Sequence, residues 1–233
     1  MTLSSRVVTP VIRLILSLLC RIDAREMRRI PRKGPLIVVM NHVNFLEVPL
    51  IYAFLYPRHT VGLVKRETWN NPLLGALADS WESIAIDRAG SDMSAMRQAL
   101  DVLARGGLLL VAPEGTRSGH GRLQQGHGGV VQLALKSGAT IIPVAHSGGE
   151  HFWRNFKSWR RTRFTVKVGP AFTLVPPGTG GGKAAAAVHS VPKSVRAEMT
   201  DAIMNRLSLL LPQRQRGVYP HPESAPMRVI ELV

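Results

Sequence analysis

Short apolar runs rich in β-branched residues alternate with segments of helical periodicity over most of the chain. The predicted strands cover residues 36–40, 61–65, 83–87, 108–112, 140–145 and 163–169. The predicted helices cover residues 47–55, 72–79, 92–105, 128–137 and 193–211. Strands that alternate with helices form a mostly parallel or mixed sheet flanked by helices. The sequence therefore predicts a single α/β domain over residues 31–211, and a chain of 233 residues can bury its core.

Two biased segments interrupt or follow this domain. The stretch PPGTGGGKAAAA lies within residues 176–190 and predicts a flexible Gly- and Ala-rich loop. Residues 212–233 are rich in proline and predict a tail.

The N-terminal segment, residues 1–30, is apolar and then basic. A helix over residues 10–22 would be about 20 Å long, too short for roughly 30 Å of bilayer hydrocarbon. Arg13 and Ser17 draw a narrow polar stripe on it, which predicts an amphipathic helix at a membrane surface. A signal peptide and a helix packed on the protein's own core are the alternatives. The single cysteine, Cys20, fits a reducing compartment, so the prediction is the cytoplasmic face of a membrane.

Lysine and arginine outnumber aspartate and glutamate by 30 to 15. Residues 1–35 hold eight basic and two acidic side chains, and residues 150–170 hold six basic and one acidic. The second stretch contains an aromatic–basic segment at residues 152–161, FWRNFKSWRR. Such patches suit anionic lipid head groups, nucleic acid or an acidic protein partner. A nucleic-acid-binding module is the weakest fit, because no zinc-finger or RNP-type pattern and no basic recognition helix is present.

A polar loop that carries His42 follows the apolar run at residues 36–40. Side chains just beyond the carboxyl end of a strand stand where ligands bind in α/β folds. Pro49 indicates a helix that begins near Glu47, and the intervening turn can bring that carboxylate to the imidazole. Imidazole is a natural general base, and a carboxylate fixes its tautomer. The segment also fits a helix-capping pair of Asn44 and Glu47, with His42 an ordinary loop residue.

A second polar block follows the fourth predicted strand: Pro113-Glu114-Gly115-Thr116-Arg117-Ser118. Arg117 offers a planar fork for a phosphate group, and Gly115 lets the backbone approach a ligand. The Thr116 hydroxyl can donate a hydrogen bond to that phosphate group. Glu114 can orient Arg117 or form a hydrogen bond with a glycerol hydroxyl. Arg88, after the third predicted strand, is a second candidate phosphate ligand. A surface turn with a salt bridge is the alternative.

These blocks occur in an order that resembles the PlsC-like glycerolipid acyltransferases, whose best-known members are 1-acylglycerol-3-phosphate acyltransferases. The family's Asn-His-x4-Asp block is similar to Asn41-His42-x4-Glu47, and its Pro-Glu-Gly-Thr-Arg-Ser block to residues 113–118. Two further blocks resemble Ile86-Asp87-Arg88 and Ile141-Ile142-Pro143-Val144. The resemblance covers roughly residues 30–175.

The resemblance implies that His42 deprotonates the hydroxyl of a lysophospholipid, which attacks the thioester of acyl-CoA or acyl carrier protein. Glu47 would hold the imidazole. Glu114, Gly115, Thr116 and Arg117 would bind the acceptor, with Arg88 assisting. The implied product is phosphatidate from 1-acylglycerol-3-phosphate, at a membrane surface with anionic lipids. No metal, no bound cofactor and no nucleic acid is implied.

The chain departs from the family pattern at several positions. Glu47 replaces the usual aspartate, which allows a catalytically inactive membrane-binding relative. Gln124 and Gln125 stand before Gly126 where the family usually has Phe-Lys-x-Gly, so one expected cation is missing. Other acceptors therefore stay open: glycerol-3-phosphate, another lysophospholipid or an amino-acid lipid.

Overall fold

A computed structural model describes residues 2–87, 92–177, 191–224 and 228–233. Its strands are β1 (Cys20–Asp23), β2 (Leu36–Met40), β3 (Thr60–Lys65), β4 (Ile84–Ile86), β5 (Leu108–Val111), β6 (Thr140–Ser147), β7 (Thr162–Val168), β8 (Phe172–Leu174) and β9 (Ile230–Leu232). Its α-helices are α1 (Leu3–Leu19), α2 (Glu47–Leu55), α3 (Pro72–Ser80), α4 (Met93–Ala104), α5 (Gly129–Ser137), α6 (Phe152–Lys157) and α7 (Lys193–Ser208).

The strands of the described residues form one mixed sheet in the order β1-β7-β6-β2-β5-β3-β4, with β8 on β6 and β9 on β8. The neighbours β6, β2, β5, β3 and β4 are parallel to one another. β7 runs antiparallel to β6, and β1 runs parallel to β7. Every residue of β2 and β5 is buried, as expected for parallel strands covered on both faces. The predicted α/β domain with a mixed sheet is confirmed.

Alternate residues of β2 face two separate cores. Ile37 and Val39 pack with apolar residues of α4, α5 and α7 on one side of the sheet. Leu36, Val38 and Met40 pack with residues of α1, α2 and α6 on the other. This alternation follows from the two-residue period of a strand, and it lets helices cover both faces.

The N-terminal helix begins earlier and ends earlier than the periodicity predicts. α1 covers Leu3–Leu19, and residues 20–23 form β1, which pairs with β7. The prediction of helix to residue 22 was wrong because that pairing partner lies about 140 residues away in sequence, beyond any local pattern. No helix in the described ranges is long and apolar enough to cross a bilayer.

α1 has one face on the protein and one face in solvent. On the inner face, Leu16 is buried, and the Thr9 hydroxyl accepts a hydrogen bond from Trp81 Nε1 at 3.0 Å. The outer face is an exposed apolar row, which we call the α1 stripe: Leu3, Val7, Val11, Leu14 and Leu18. Packing on the core therefore leaves an apolar surface at helical spacing uncovered.

The Pro-rich segment at residues 212–233 is not a detached tail where the structure describes it. Gln215 and Tyr219 are buried, and the Ser208 hydroxyl donates to the Tyr219 carbonyl at 2.8 Å. β9 adds to the sheet beside β8. Buried apolar and aromatic side chains hold this segment on the domain despite its prolines. Most of the predicted loop at residues 176–190 lies outside the described residues.

Candidate active site

Two polar loops meet at the carboxyl edge of the parallel strands. His42 follows β2 and Glu114 follows β5, and these strands are neighbours. The His42 backbone N–H donates to Glu114 Oε1 at 2.7 Å, and the Ser118 N–H donates to the His42 carbonyl at 2.8 Å. The two blocks that the sequence identifies separately thus form one bonded unit.

The His42 ring is held by the carboxylate of Glu47, at the first residue of α2. The distance from His42 Nδ1 to Glu47 Oε1 is 2.8 Å, and the Glu47 side chain is fully buried. The backbone N–H groups of Val43 and Asn44 donate to the same oxygen at 2.6 and 2.8 Å. Because this carboxylate serves as an acceptor, Nδ1 carries the ring proton and Nε2 keeps its lone pair.

The same segment also contains the capping interactions that the sequence suggests as an alternative. Asn44 Oδ1 accepts from the Leu46 N–H at 2.8 Å, while the Asn44 N–H donates to Glu47. Capping and ring orientation are therefore compatible here, since one buried carboxylate serves both the loop backbone and the imidazole.

Glu114 has a different environment from the one expected for an acceptor ligand. Its side chain is buried, and its oxygens accept from the backbone N–H groups of His42 and Gln124 at 2.7 and 2.8 Å. Burial raises the pKa of this carboxyl, and the hydrogen bonds from His42 and Gln124 oppose the rise. The geometry makes Glu114 a brace between loops. Each of its oxygens accepts one backbone N–H, and the expectation that it orients Arg117 or binds a glycerol hydroxyl stays a prediction.

The other residues of the second block lie on the outer side of this brace. Gly115 has φ +68°, and a Cβ there would approach the His127 ring to 3.0 Å. Thr116 and Arg117 are exposed, and Arg117 makes no ion pair among the described residues. Arg88 lies outside the described residues.

A cavity of about 460 Å³ opens beside His42. Its polar end includes His42, Gly115 and His127. Its apolar walls come from β3, β5, α4 and α5 and include Leu63, Ala95, Ala99, Leu110, Val130 and Leu133. Thr116 and Arg117 are not among the lining residues and follow directly after Gly115, which lines the cavity. The arrangement can hold an apolar chain with its reactive end at the imidazole.

Two polar residues at this edge, His146 and His127, were not predicted from the sequence. His146 is buried on β6, and its Nε2 donates to the Asn41 carbonyl at 2.8 Å. The Asn41 side chain exchanges two more hydrogen bonds with the His146 backbone. His127 is exposed beside Gly115. A polar residue at the end of an apolar run, as in IIPVAHS, was the available signal for His146. Within the described ranges, no group of side chains converges as metal ligands.

Comparisons with known proteins place the chain in a family. A family model described as Acyltransferase matches residues 21–147. A 1-acyl-sn-glycerol-3-phosphate acyltransferase of Limnanthes alba is 37% identical over 58% of this chain and 46% of its own length. The Pseudomonas aeruginosa enzyme of the same name is 30% identical over 65% of this chain and 59% of its own length. The chain spans about half the length of the curated relatives it matches.

Two further similarities bear on substrate and fold. A lyso-ornithine lipid O-acyltransferase of Pseudomonas aeruginosa is 34% identical over 54% of this chain and 47% of its own length. The crystal structure of the 1-acyl-sn-glycerophosphate acyltransferase PlsC from Thermotoga maritima superposes with a TM-score of 0.59. That match covers 84% of this chain and 79% of the other at 23% identity, so it shows a shared fold.

Proposed function

The chain belongs to the acyltransferase family, and we propose that it transfers a fatty acyl group from acyl-CoA or acyl carrier protein to a lysophospholipid. The acceptor is 1-acylglycerol-3-phosphate and the product is phosphatidate. The observation that carries the proposal is the 2.8 Å bond from His42 Nδ1 to Glu47, which leaves Nε2 as a base at the cavity.

The reaction needs no protein nucleophile. Nε2 of His42 takes the proton of the acceptor hydroxyl as its oxygen attacks the thioester carbonyl carbon. The C–O bond forms, the C–S bond breaks, and the thiolate takes the proton back from Nε2. Glu47 keeps the ring oriented and stabilises the imidazolium while it exists. Glu114 holds the His42 backbone and takes no part in the proton transfer.

The cavity supports a long acyl chain as the transferred group. Its walls are apolar side chains, and each buried methylene contributes about 0.8 kcal/mol to binding. The thioester then lies at the polar end, next to His42.

The acceptor phosphate binds at the outer side of the same loop. Arg117 is exposed there without an ion-pair partner in the described chain, and the Thr116 hydroxyl is beside it. A guanidinium can form two parallel hydrogen bonds with a phosphate. Gly115 permits the close approach of the ligand to the backbone, and Arg88 is a further candidate from its sequence position.

The acceptor reaches the enzyme from a membrane surface. The α1 stripe is apolar and exposed, and eight basic residues lie in residues 1–35. This combination supports association with anionic lipids at the cytoplasmic face, where both thioester donors are found.

A lyso-ornithine lipid is the second candidate acceptor. It is favoured by two observations: neutral Gln124 and Gln125 stand where a cation is expected, and the carboxylate of Asp92, which also caps α4, lines the cavity. An amino-acid head group offers an ammonium to such a carboxylate, whereas a phosphate is repelled by it.

The test is turnover by the purified full chain with one labelled acyl-CoA, or acyl carrier protein, against a panel of acceptors, with mass detection of products. The panel holds lysophosphatidate, glycerol-3-phosphate, a lysophospholipid with a larger head group and lyso-ornithine lipid. Phosphatidate as the main product supports the proposal, and acylated ornithine lipid alone favours the second candidate. His42→Ala is the control, and it should lose turnover by about 10²- to 10⁴-fold with unchanged circular dichroism. Turnover equal to wild type in that variant would remove the proposed base.

A further inference from the structure

Beyond α1, the aromatic–basic helix α6 offers a second exposed surface at the catalytic edge. We propose that this surface lies in an anionic bilayer beside the catalytic loop, so that the acceptor passes from the lipid to His42 without crossing water. We call it the α6 surface, and it consists of Trp153, Arg154, Phe156, Lys157, Trp159 and Arg160. The inference rests on the proposed function in one respect, because it takes the acceptor to be a lipid.

Three aromatic side chains of the α6 surface are in solvent. Trp153 is 56% exposed, Phe156 49% and Trp159 97%. Trp159 also has a backbone φ of +53°, a left-handed conformation that bulky residues rarely adopt. The Trp159 side chain is almost wholly in water, so it contributes little to the stability of the fold in return for this unfavourable backbone conformation. Burial in a bilayer interface, where tryptophan is favoured, accounts for its position.

Cationic side chains alternate with these rings. Arg154, Lys157 and Arg160 are exposed, and none of them is in an ion pair among the described residues. Their long apolar stems can lie beside acyl chains while the charges reach lipid phosphates. Rings and cations in one short segment match the layered chemistry of an anionic membrane surface, with an apolar interior below charged head groups.

The α6 surface contacts the catalytic loop through Trp153, and the segment just before α6 is hydrogen-bonded to the same loop. Phe45, three residues after His42, packs its ring 5.5 Å from that of Trp153 and 6.0 Å from that of Phe152. The Asn44 side chain donates to the Gly149 carbonyl at 2.7 Å. A membrane that buries Trp153 therefore meets the loop that carries the base.

Arg161, the residue after the α6 surface, is bonded to the C-terminal end of the helix that carries the α1 stripe. The Arg161 guanidinium donates to the Cys20 carbonyl at 2.6 Å and to the Ser17 carbonyl, at the C-terminal end of α1. Leu14 and Leu18 of the α1 stripe are 61% and 66% exposed near that end. An exposed apolar helix bonded to the segment that follows the α6 surface favours a membrane over an acidic carrier protein, because a carrier would engage the charges but would not need the apolar helix.

The first test measures membrane contact and needs no turnover. Full-length protein is mixed with vesicles of phosphatidylglycerol and phosphatidylcholine that contain brominated lipid, and quenching of tryptophan emission is recorded. Trp153→Ser and Trp159→Ser should each remove a large part of the quenching, since Trp69 and Trp81 supply only the background. Leu232→Ser, an exposed apolar change on β9, should leave quenching unchanged. Quenching that survives in the double Trp153→Ser, Trp159→Ser variant would overturn the proposal.

The second test separates lipid delivery from chemistry. Trp159→Ser, which removes a 97% exposed ring, should lower kcat/KM for long-chain lysophosphatidate in vesicles by about tenfold. It should leave kcat/KM for a dissolved short-chain lysophosphatidate unchanged. An equal loss with both acceptors would overturn the proposal, as damage to the loop would explain it.

Other outcomes show whether the α6 surface binds a membrane or the acyl carrier protein, and whether the proposed function or the membrane proposal has failed. If the variants raise KM for acyl carrier protein while vesicle quenching persists, the surface binds the carrier and the membrane proposal is wrong. If the wild type acylates no lysophospholipid while quenching depends on Trp153 and Trp159, the proposed function fails and the membrane surface stands. Lys157→Glu with Arg160→Glu should weaken binding to anionic vesicles by about tenfold or more and leave binding to neutral vesicles unchanged.

Discussion

The Glu114 carboxylate and the backbone N–H of His42 are 2.7 Å apart across two neighbouring strands, so the second sequence block holds the residue that carries the base. Glu114 also accepts from the Gln124 N–H, which ties a third stretch of chain to the same carboxylate. The backbone of the residue that carries the imidazole is therefore held by an acid 72 residues away in sequence.

The first prediction concerns the pH dependence of stability. Burial raises the pKa of Glu114 above its ordinary 4.5, so its contribution to folding is complete below that value and is lost as pH rises through the folded pKa. Glutamine cannot ionise. The free energy of unfolding of wild type, minus that of Glu114→Gln, should therefore decrease as pH rises above about 4.5. Urea unfolding of both proteins at several pH values measures this difference in the free energy of unfolding.

Glu231→Gln is the control for that series, because the Glu231 side chain is exposed on β9. The free energy of unfolding of wild type minus that of Glu231→Gln should change little with pH. A Glu114 difference that grows with pH would contradict the prediction. It would mean that the N–H groups of His42 and Gln124 outweigh the cost of burying the charge.

The second prediction concerns the carboxylate that departs from the family pattern. Glu47 Oε1 accepts from His42 Nδ1, Val43 N–H and Asn44 N–H at distances of 2.6 to 2.8 Å. Aspartate is one methylene shorter and cannot keep all three contacts from the same backbone position. Glu47→Asp should lower kcat by about ten- to a hundredfold with little change in either KM, because a small displacement of the base impairs proton transfer.

The steady-state assay with wild type and Glu47→Asp measures this effect, and Glu67→Asp, on an exposed turn, is the matched control. Full activity in Glu47→Asp would show that the loop adjusts to the shorter side chain. A loss confined to KM would contradict a role in orienting the base.

The parallel core and the catalytic loop were predictable from local pattern, and much of the periphery was not. β2 and β5 are continuous apolar runs, which only strands buried on both faces tolerate, and their boundaries match closely. β1, β8 and β9 have three or four residues each and pair with distant segments, so no window of sequence contains their cause. The α6 helix was missed because rings and cations without apolar periodicity do not predict a helix.

The candidate site also has one part that local sequence predicts and one part that depends on distant pairing. His42 and Glu47 lie five residues apart, and a turn before Pro49 is enough to predict their meeting. The hydrogen bonds between Asn41 and His146 join residues 105 positions apart in sequence. They depend on β2 and β6 being neighbours in the sheet, which sequence order alone does not specify. The burial of Glu114 was missed for a related reason, since Pro-Glu-Gly-Thr-Arg reads as a polar surface turn until two other loops close over it.

The third prediction concerns the acceptor phosphate. Arg117 is exposed two residues after Gly115, which lines the cavity, and a hydrogen bond to a charged group contributes about 1.5–3 kcal/mol. Arg117→Ala should therefore raise the acceptor KM by about ten- to a hundredfold and leave the donor KM near its wild-type value. Initial rates with lysophosphatidate and acyl-CoA varied in turn measure both constants.

Arg122→Ala removes the same charge from the same polar segment and should have a small effect on either constant. Equal effects of the two variants would mean that overall positive charge, and not a phosphate ligand at Arg117, governs acceptor binding. A raised donor KM with an unchanged acceptor KM would move the acceptor phosphate elsewhere.

The fourth prediction concerns the length of the acyl chain. Ala99 on α4 is buried and lines the cavity, whereas Ala134 on α5 is buried in the same core without lining it. Either change to methionine overpacks the core and costs about 1–3 kcal/mol of stability. Only Ala99→Met also fills space that an acyl chain would occupy. It should lower kcat/KM for long-chain acyl-CoA and leave kcat/KM for short-chain acyl-CoA almost unaffected, whereas Ala134→Met should change both constants alike.

Competition between long- and short-chain donors in one reaction, with mass detection of products, measures the ratio of the two kcat/KM values. An unchanged ratio in Ala99→Met would show that the acyl chain binds outside this cavity.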